Sequence, residues 1–171
     1  MSQKMLGAAL IVAALLAGAL SYLKQRRERM KLLEELSAAL NTAAGELSLR
    51  SLPLPRLFEC LSGRTQGAAA EFFSSLCGGM DRLGEEEFST LWDRAADEKL
   101  PGLSTAEREE LKRLGAVLGR YELERQLEAL CLCADSLNAA LGRARQDYPN
   151  LRRLSLGLSA CAGFLLIILL L

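Results

Sequence analysis

LERQLEALCLCADSLNAALGRARQDY, residues 123–148, carries the pattern that decides the fold. Leu123, Leu127, Leu130, Ala134, Leu137, Leu141, Ala144 and Tyr148 step by 4, 3, 4, 3, 4, 3 and 4. That spacing returns a side chain to one face of a helix turning every 3.6 residues, and it does not alternate as a half-buried strand would. In its middle, Leu130-Cys131-Leu132-Cys133-Ala134 is apolar on every side, which predicts enclosure by several neighbours. Pro149 follows and is expected to separate this helix from the next segment as a kink.

The next segment is 154–171, LSLGLSACAGFLLIILLL, 18 residues without a charge. Its counterpart at the other end is 5–23, MLGAALIVAALLAGALSYL, 19 residues without a charge. As helices they would reach roughly 27 and 28 Å, close to the ~30 Å hydrocarbon core of a bilayer. Of the 42 charged residues, 41 lie between the two runs. The sequence therefore predicts transmembrane helices at 5–23 and 154–171 around a helical domain at 24–153, with residues 1–4 as a short extracytoplasmic end. The alternative, two core helices, asks a small domain to wrap both on all sides. A cleaved signal peptide is the rival reading of the first run, since Ala17-Gly18-Ala19 imitates a cleavage site.

Charge sets the expected orientation. The 171 residues sum to zero, but unevenly. Lys24, Arg26, Arg27, Arg29 and Lys31 against Glu28 give +4 behind the first run; Arg143, Arg145, Arg152 and Arg153 against Asp147 give +3 before the second. Two basic collars facing the central segment predict a cytoplasmic domain with both termini across the membrane, and argue against translocation of the first collar. Tyr22 and Tyr148 fall near the inner ends of the runs, where an aromatic ring suits the headgroup layer. Residues 32–142 hold 19 acids and 11 bases, a net of −8. Such a surface could steer a basic partner or could be an ordinary solvated face.

The central domain reads as five or six helices in one bundle, with antiparallel neighbours because the connections are short. Leu33, Leu36, Leu40, Ala43 and Leu47 make a first stripe. Pro55 suits the first turn of a helix holding Leu57, Phe58 and Leu61. Residues 67–76 offer Phe72, Phe73 and Leu76 and are expected to stop at Gly78-Gly79. A helix over 84–97 would carry Glu85, Glu86 and Glu87 in its first turn, with Phe88, Leu91, Trp92 and Ala95 on its apolar side. Pro101-Gly102 breaks the chain, Ser104-Thr105-Ala106-Glu107 reads as a capping box, and Leu111, Leu114, Leu118 and Tyr121 follow.

Little in this sequence supports catalysis. Without histidine there is no Ser-His or Cys-His pair and no imidazole ligand. Cys60, Cys77, Cys131, Cys133 and Cys161 are odd in number and scattered, unlike a disulfide framework. On a helix Cys131 and Cys133 point to different faces, so a core role outweighs half a metal site. Glu85–Glu87 lacks the alternating spacing of a calcium loop. Gly115-Ala116-Val117-Leu118-Gly119 has no lysine or strand for a phosphate loop; its glycines either let helices approach closely or mark a helix end at Gly119. The zero charge balance argues against nucleic acid. No Asp, Glu, Lys or Arg lies within either apolar run, which disfavours a transporter. Ala9, Ala13 and Ala17, with Ser159 and Gly163, suit close packing in lipid and self-association. The expectation is a non-enzyme with no catalytic residues, cofactor, metal or small-molecule substrate.

The order of these pieces resembles the stage III sporulation protein AB family of endospore-forming bacteria. The resemblance rests on Met5-Leu6-Gly7, on Phe88-Ser89-Thr90-Leu91-Trp92, and most on Leu114-Gly115-Ala116-Val117-Leu118-Gly119-Arg120 with Glu122 and Gln126. Leu156-Gly157 and the stretch from Gly163 to Leu170 complete it. The chain departs at Leu52-Pro53-Leu54, where the family tends to carry Thr-Pro-Leu, and at Glu122, where it has Asp. The resemblance implies a platform in the channel complex joining mother cell and forespore, similar to the inner-membrane platform of type II secretion and type IV pilus machines. It implies the mother-cell membrane as location, and a secretion-type ATPase and other channel subunits as partners. The alternative is a membrane-anchored regulatory or sensor subunit with no ATPase.

Overall fold

The structure, a computed structural model, describes the backbone of residues 2–50, 52–82, 84 and 86–170 and the side chains of 13–14, 17–50, 52–81, 84, 86–148 and 157. The described residues form α1 (Ser2–Arg50), α2 (Leu54–Arg64), α3 (Gly67–Gly79), a 3-10 turn (Met80–Arg82), α4 (Phe88–Lys99), α5 (Thr105–Val117) and α6 (Leu123–Leu170), with no strand element among them. The all-α expectation holds. The chain divides into two compact units, one of Met1–Glu28 with Arg143–Leu171, the other Arg29–Gly142.

In the first unit both apolar runs are helical, but their side chains lie for the most part outside the described residues. Among the described residues no helix is long and apolar enough to cross a membrane. Lys24 and Glu28, four apart, approach to 3.8 Å, and the Arg26 guanidinium donates to the Tyr22 hydroxyl at 2.8 and 3.1 Å. The expected separation at Pro149 is absent: α6 continues through it. A proline removes one hydrogen bond of the ladder, and the bonds on either side suffice to carry so long a helix past it.

The second unit is built on the two stripes. Leu33, Leu36, Leu40, Ala43 and Leu47 of α1 are at most 4% exposed. In α6 the buried stripe is Leu130, Ala134, Leu137 and Leu141, whereas Leu123, which opened the pattern, is exposed. Between them α2 begins at Pro53 with Pro55 in its first turn and buries Leu57, Phe58 and Leu61. Helix α3 buries Phe72, Phe73 and Leu76. Four of the five phenylalanines gather around the single tryptophan, Trp92 of α4. Phe72 meets it edge-on at 5.0 Å, Phe88 and Phe58 lie at 5.8 and 5.9 Å, and Phe73 packs on Phe72 at 5.1 Å. Each such pair contributes about 0.5–1.5 kcal/mol beyond the area it buries.

One boundary differs from expectation. Helix α4 starts at Phe88, so Glu86 and Glu87 precede it rather than filling its first turn, while Glu85 lies outside the described residues; Glu87 is the cap residue, without a side-chain cap bond. Glu86 accepts a two-pronged bond from Arg94 at 3.1 and 2.9 Å instead. Helix α3 ends at Gly79, as the Gly78-Gly79 pair led one to expect, and tightens into the 3-10 turn. Gly79 serves close approach, because a Cβ there would lie 2.3 Å from Leu91 Cδ1. Leu91 also lines a cavity of about 510 Å³ with Ser75, Arg94, Ala95 and Glu98, so its far end has room to swing. Gly79→Ala is therefore expected to cost only about 1 kcal/mol, the displaced leucine outweighing the gain in helix propensity. A urea unfolding midpoint checks it.

Candidate functional site

The motif Leu114–Arg120 closes α5 and opens the turn to α6. Leu114 and Leu118 are buried. Gly115 lies under the Trp92 indole, where a Cβ would come within 2.2 Å of Cδ1 and 2.4 Å of Cγ. The Trp92 Nε1 hydrogen donates to the Leu111 carbonyl at 2.7 Å, so α4 is both pressed and bonded onto α5. Gly119, at φ +75°, takes the left-handed conformation that ends the helix. Of the two roles read for these glycines, Gly115 fills the first and Gly119 the second. The Gly119 N–H then donates to Gln126 Oε1 at 3.2 Å, and Gln126 Nε2 donates to the Tyr121 carbonyl at 2.6 Å. Gln126 is thus a clamp on the turn. Tyr121, expected on the buried stripe, is exposed because α5 has ended and the helical phase is lost; Arg125 sits over its ring at 5.7 Å.

The capping box is present: the Glu107 N–H donates to Ser104 Oγ at 3.4 Å and the Ser104 N–H donates to Glu107 Oε2 at 2.8 Å. Sequence reasoning missed what else Glu107 does. Arg29, counted above only as a collar charge, donates to both its oxygens, at 3.3 and 2.5 Å, tying α1 to α5. Glu107 is 7% exposed. Burial alone would raise its pKa, but hydrogen bonds from Arg29 and Ser104 and the Arg29 charge overcome this, and the carboxyl titrates below its usual range. The signal available in sequence was a basic residue one heptad before a buried stripe, with nothing to name its partner.

The thiols do not come together as a pair. Cys133 is buried, and its pKa is pushed up to about 12 by burial and by the charge of Glu110; Cys131 is exposed. A thiol held so high carries almost no thiolate at neutral pH, which is the form that attacks or binds metal. Among the described residues no cluster of three or more Cys, Asp or Glu could hold a metal ion. On the α4–α5 face Asp97 pairs with Lys112 at 2.9 Å and Arg108 at 3.7 Å. Asp93 beside them is raised by burial, lowered by Lys112, and raised again by Asp97 and Glu109.

The enclosure expected around residues 130–134 is only half present. Leu130, Cys133 and Ala134 are buried, but Leu132 is 63% exposed and Cys131 is exposed. The described helices of the bundle cover one side of α6 and leave the other open. Open beside it are Glu124, Glu128 and Asp135, for which the described residues supply no ion-pair partner.

A family model described as stage III sporulation protein AB matches residues 4–171. The stage III sporulation protein AB of Bacillus subtilis (strain 168) is 27% identical over 169 residues, covering 98% of each chain. A solved structure of stage III sporulation protein AB shares the fold with a TM-score of 0.63 at 24% identity, over 71% of this chain and 96% of that one. The motif residues that build the α5–α6 turn, Gly115, Gly119 and Gln126, lie within the matched span.

Proposed function

The chain belongs to the stage III sporulation protein AB family, and from that premise we propose that it is a non-catalytic membrane platform for a complex that operates in sporulation. Two apolar ends anchor it, the helical bundle of residues 24–153 stands in the cytoplasm of the mother cell, and the bundle couples a secretion-type ATPase to channel subunits. The observation that carries this reading is the family match over residues 4–171, which takes in both apolar runs as well as the bundle. Support comes from packing too: the one conspicuous motif packs α4 on α5 and turns the chain, a structural use.

Co-purification from detergent-solubilised sporulating cells tests the reading. Recovery of other channel subunits together with an ATPase is the expected result. Recovery of neither favours the regulatory subunit and sinks the platform.

A further inference from the structure

We propose that the open face of α6, centred on Leu132, docks an amphipathic helix that carries lysines or arginines beside its apolar stripe. The proposal deepens the platform reading and rests on it for what the partner does, but the surface stands on its own geometry. Leu132 is 63% exposed on a helix whose opposite side buries Leu130, Ala134, Leu137 and Leu141. Residues three and four apart are neighbours on a helix, so Glu128 and Asp135 stand directly on either side of Leu132, with Ala139 one heptad further on and Cys131 on the flank of the face. All of these are exposed.

The rim decides the occupant. Along this face Glu124, Glu128 and Asp135 lack ion-pair partners among the described residues; its bases are Arg125, held over the Tyr121 ring, and Arg143, eleven residues beyond Leu132 at the far end of the face. An apolar side chain flanked by acids favours an apolar stripe flanked by bases, because opposite charges steer encounter and like charges juxtaposed oppose it. A second copy of this chain is the poorer fit, since pairing this face with itself around Leu132 would set Glu128 and Asp135 against the same two acids. Ala139, one heptad on, is small, so a partner helix can approach closely beyond the leucine.

The test uses the full chain in nonionic detergent and a fluorescein-labelled synthetic helix with leucines at every third and fourth position and lysines at all flanking positions. A matched peptide with glutamates for lysines is the control. The wild-type chain is expected to bind the lysine peptide at low salt, to release it at high salt, and to ignore the glutamate peptide. Leu132→Ser, and Glu128→Lys with Asp135→Lys, should each weaken binding by about tenfold or more, and the double reversal should prefer the glutamate peptide. Because these positions are exposed, both variants should keep the wild-type circular dichroism and unfolding midpoint. Equal binding by wild type and variants overturns the proposal. So does a disulfide between Cys131 residues of two copies on mild oxidation, which would mean that a second copy covers the face. Lost co-purification of channel subunits with peptide binding intact sinks the platform reading alone; intact co-purification with no peptide binding sinks the docking face alone.

Discussion

Replacing Gly115 with alanine is expected to destabilise the bundle by about 3–5 kcal/mol, although the same change in an open helix would stabilise it by about 1 kcal/mol. The new methyl carbon would sit 2.2 Å from Trp92 Cδ1 and 2.8 Å from Nε1. Leu91 has a cavity to move into when Gly79 is enlarged, but Trp92 is fully buried, wedged among Phe58, Phe72 and Phe88 and tied to the Leu111 carbonyl. Moving it breaks the hydrogen bond and disturbs three aromatic neighbours at once. Trp92 is the sole tryptophan, so its emission reports the event directly: blue-shifted in the wild type, shifted to the red in the variant. In a Trp92→Leu background the penalty of Gly115→Ala should fall to near zero, since the clashing ring is gone. An unchanged unfolding midpoint in the single variant would disprove the packing account.

The second large effect is at Glu107. Glutamine keeps an oxygen for the capping box but loses the charge, and is expected to cost about 2 kcal/mol; alanine loses both and should cost about 3–4 kcal/mol. The reason is Arg29, which is only 24% exposed and would be left with its guanidinium unneutralised. The sign with pH follows from the direction of the shift. The folded carboxyl titrates below its unfolded value, so its contribution is complete above the unfolded pKa and is lost as pH falls through the folded one. The gap in stability between wild type and Glu107→Gln should stay constant from neutrality down to about pH 4.3 and close below that. Urea titrations across this range check it; a gap that narrows at neutral pH would exclude the pair as its source.

Much of this architecture was legible because helices announce themselves by period and by caps. The α1 stripe, the buried part of the α6 stripe, the capping box at Ser104 and Glu107 and the proline at the start of α2 are all local patterns, and each appears where its residues place it. What failed was whatever depends on a neighbour distant in sequence. Gly78-Gly79 does end its helix, but nothing local in the sequence says that Gly79 also seats Leu91. An apolar belt at residues 130–134 shows that the helix can be enclosed, not that it is, and Leu132 stays open. Tyr121 keeps the spacing of a buried stripe, but Gly119 resets the chain direction first. Arg29 is one of five clustered bases, three of them arginines, and only the fold singles out the one that reaches Glu107.

The order in which the helices pack has a consequence for how the chain is made. Helix α2 packs on α3, α3 on α4 and α4 on α5, each against its immediate successor. Contacts of this kind close short loops, lose little chain entropy and form quickly. As the polypeptide leaves the ribosome, the tryptophan and its phenylalanines can come together while residues 123–170 are still being synthesised. The last act of assembly is then the laying down of one long leucine stripe onto a middle already in place. Order of translation and order of packing coincide, which shortens the time that the aromatic surface spends in water.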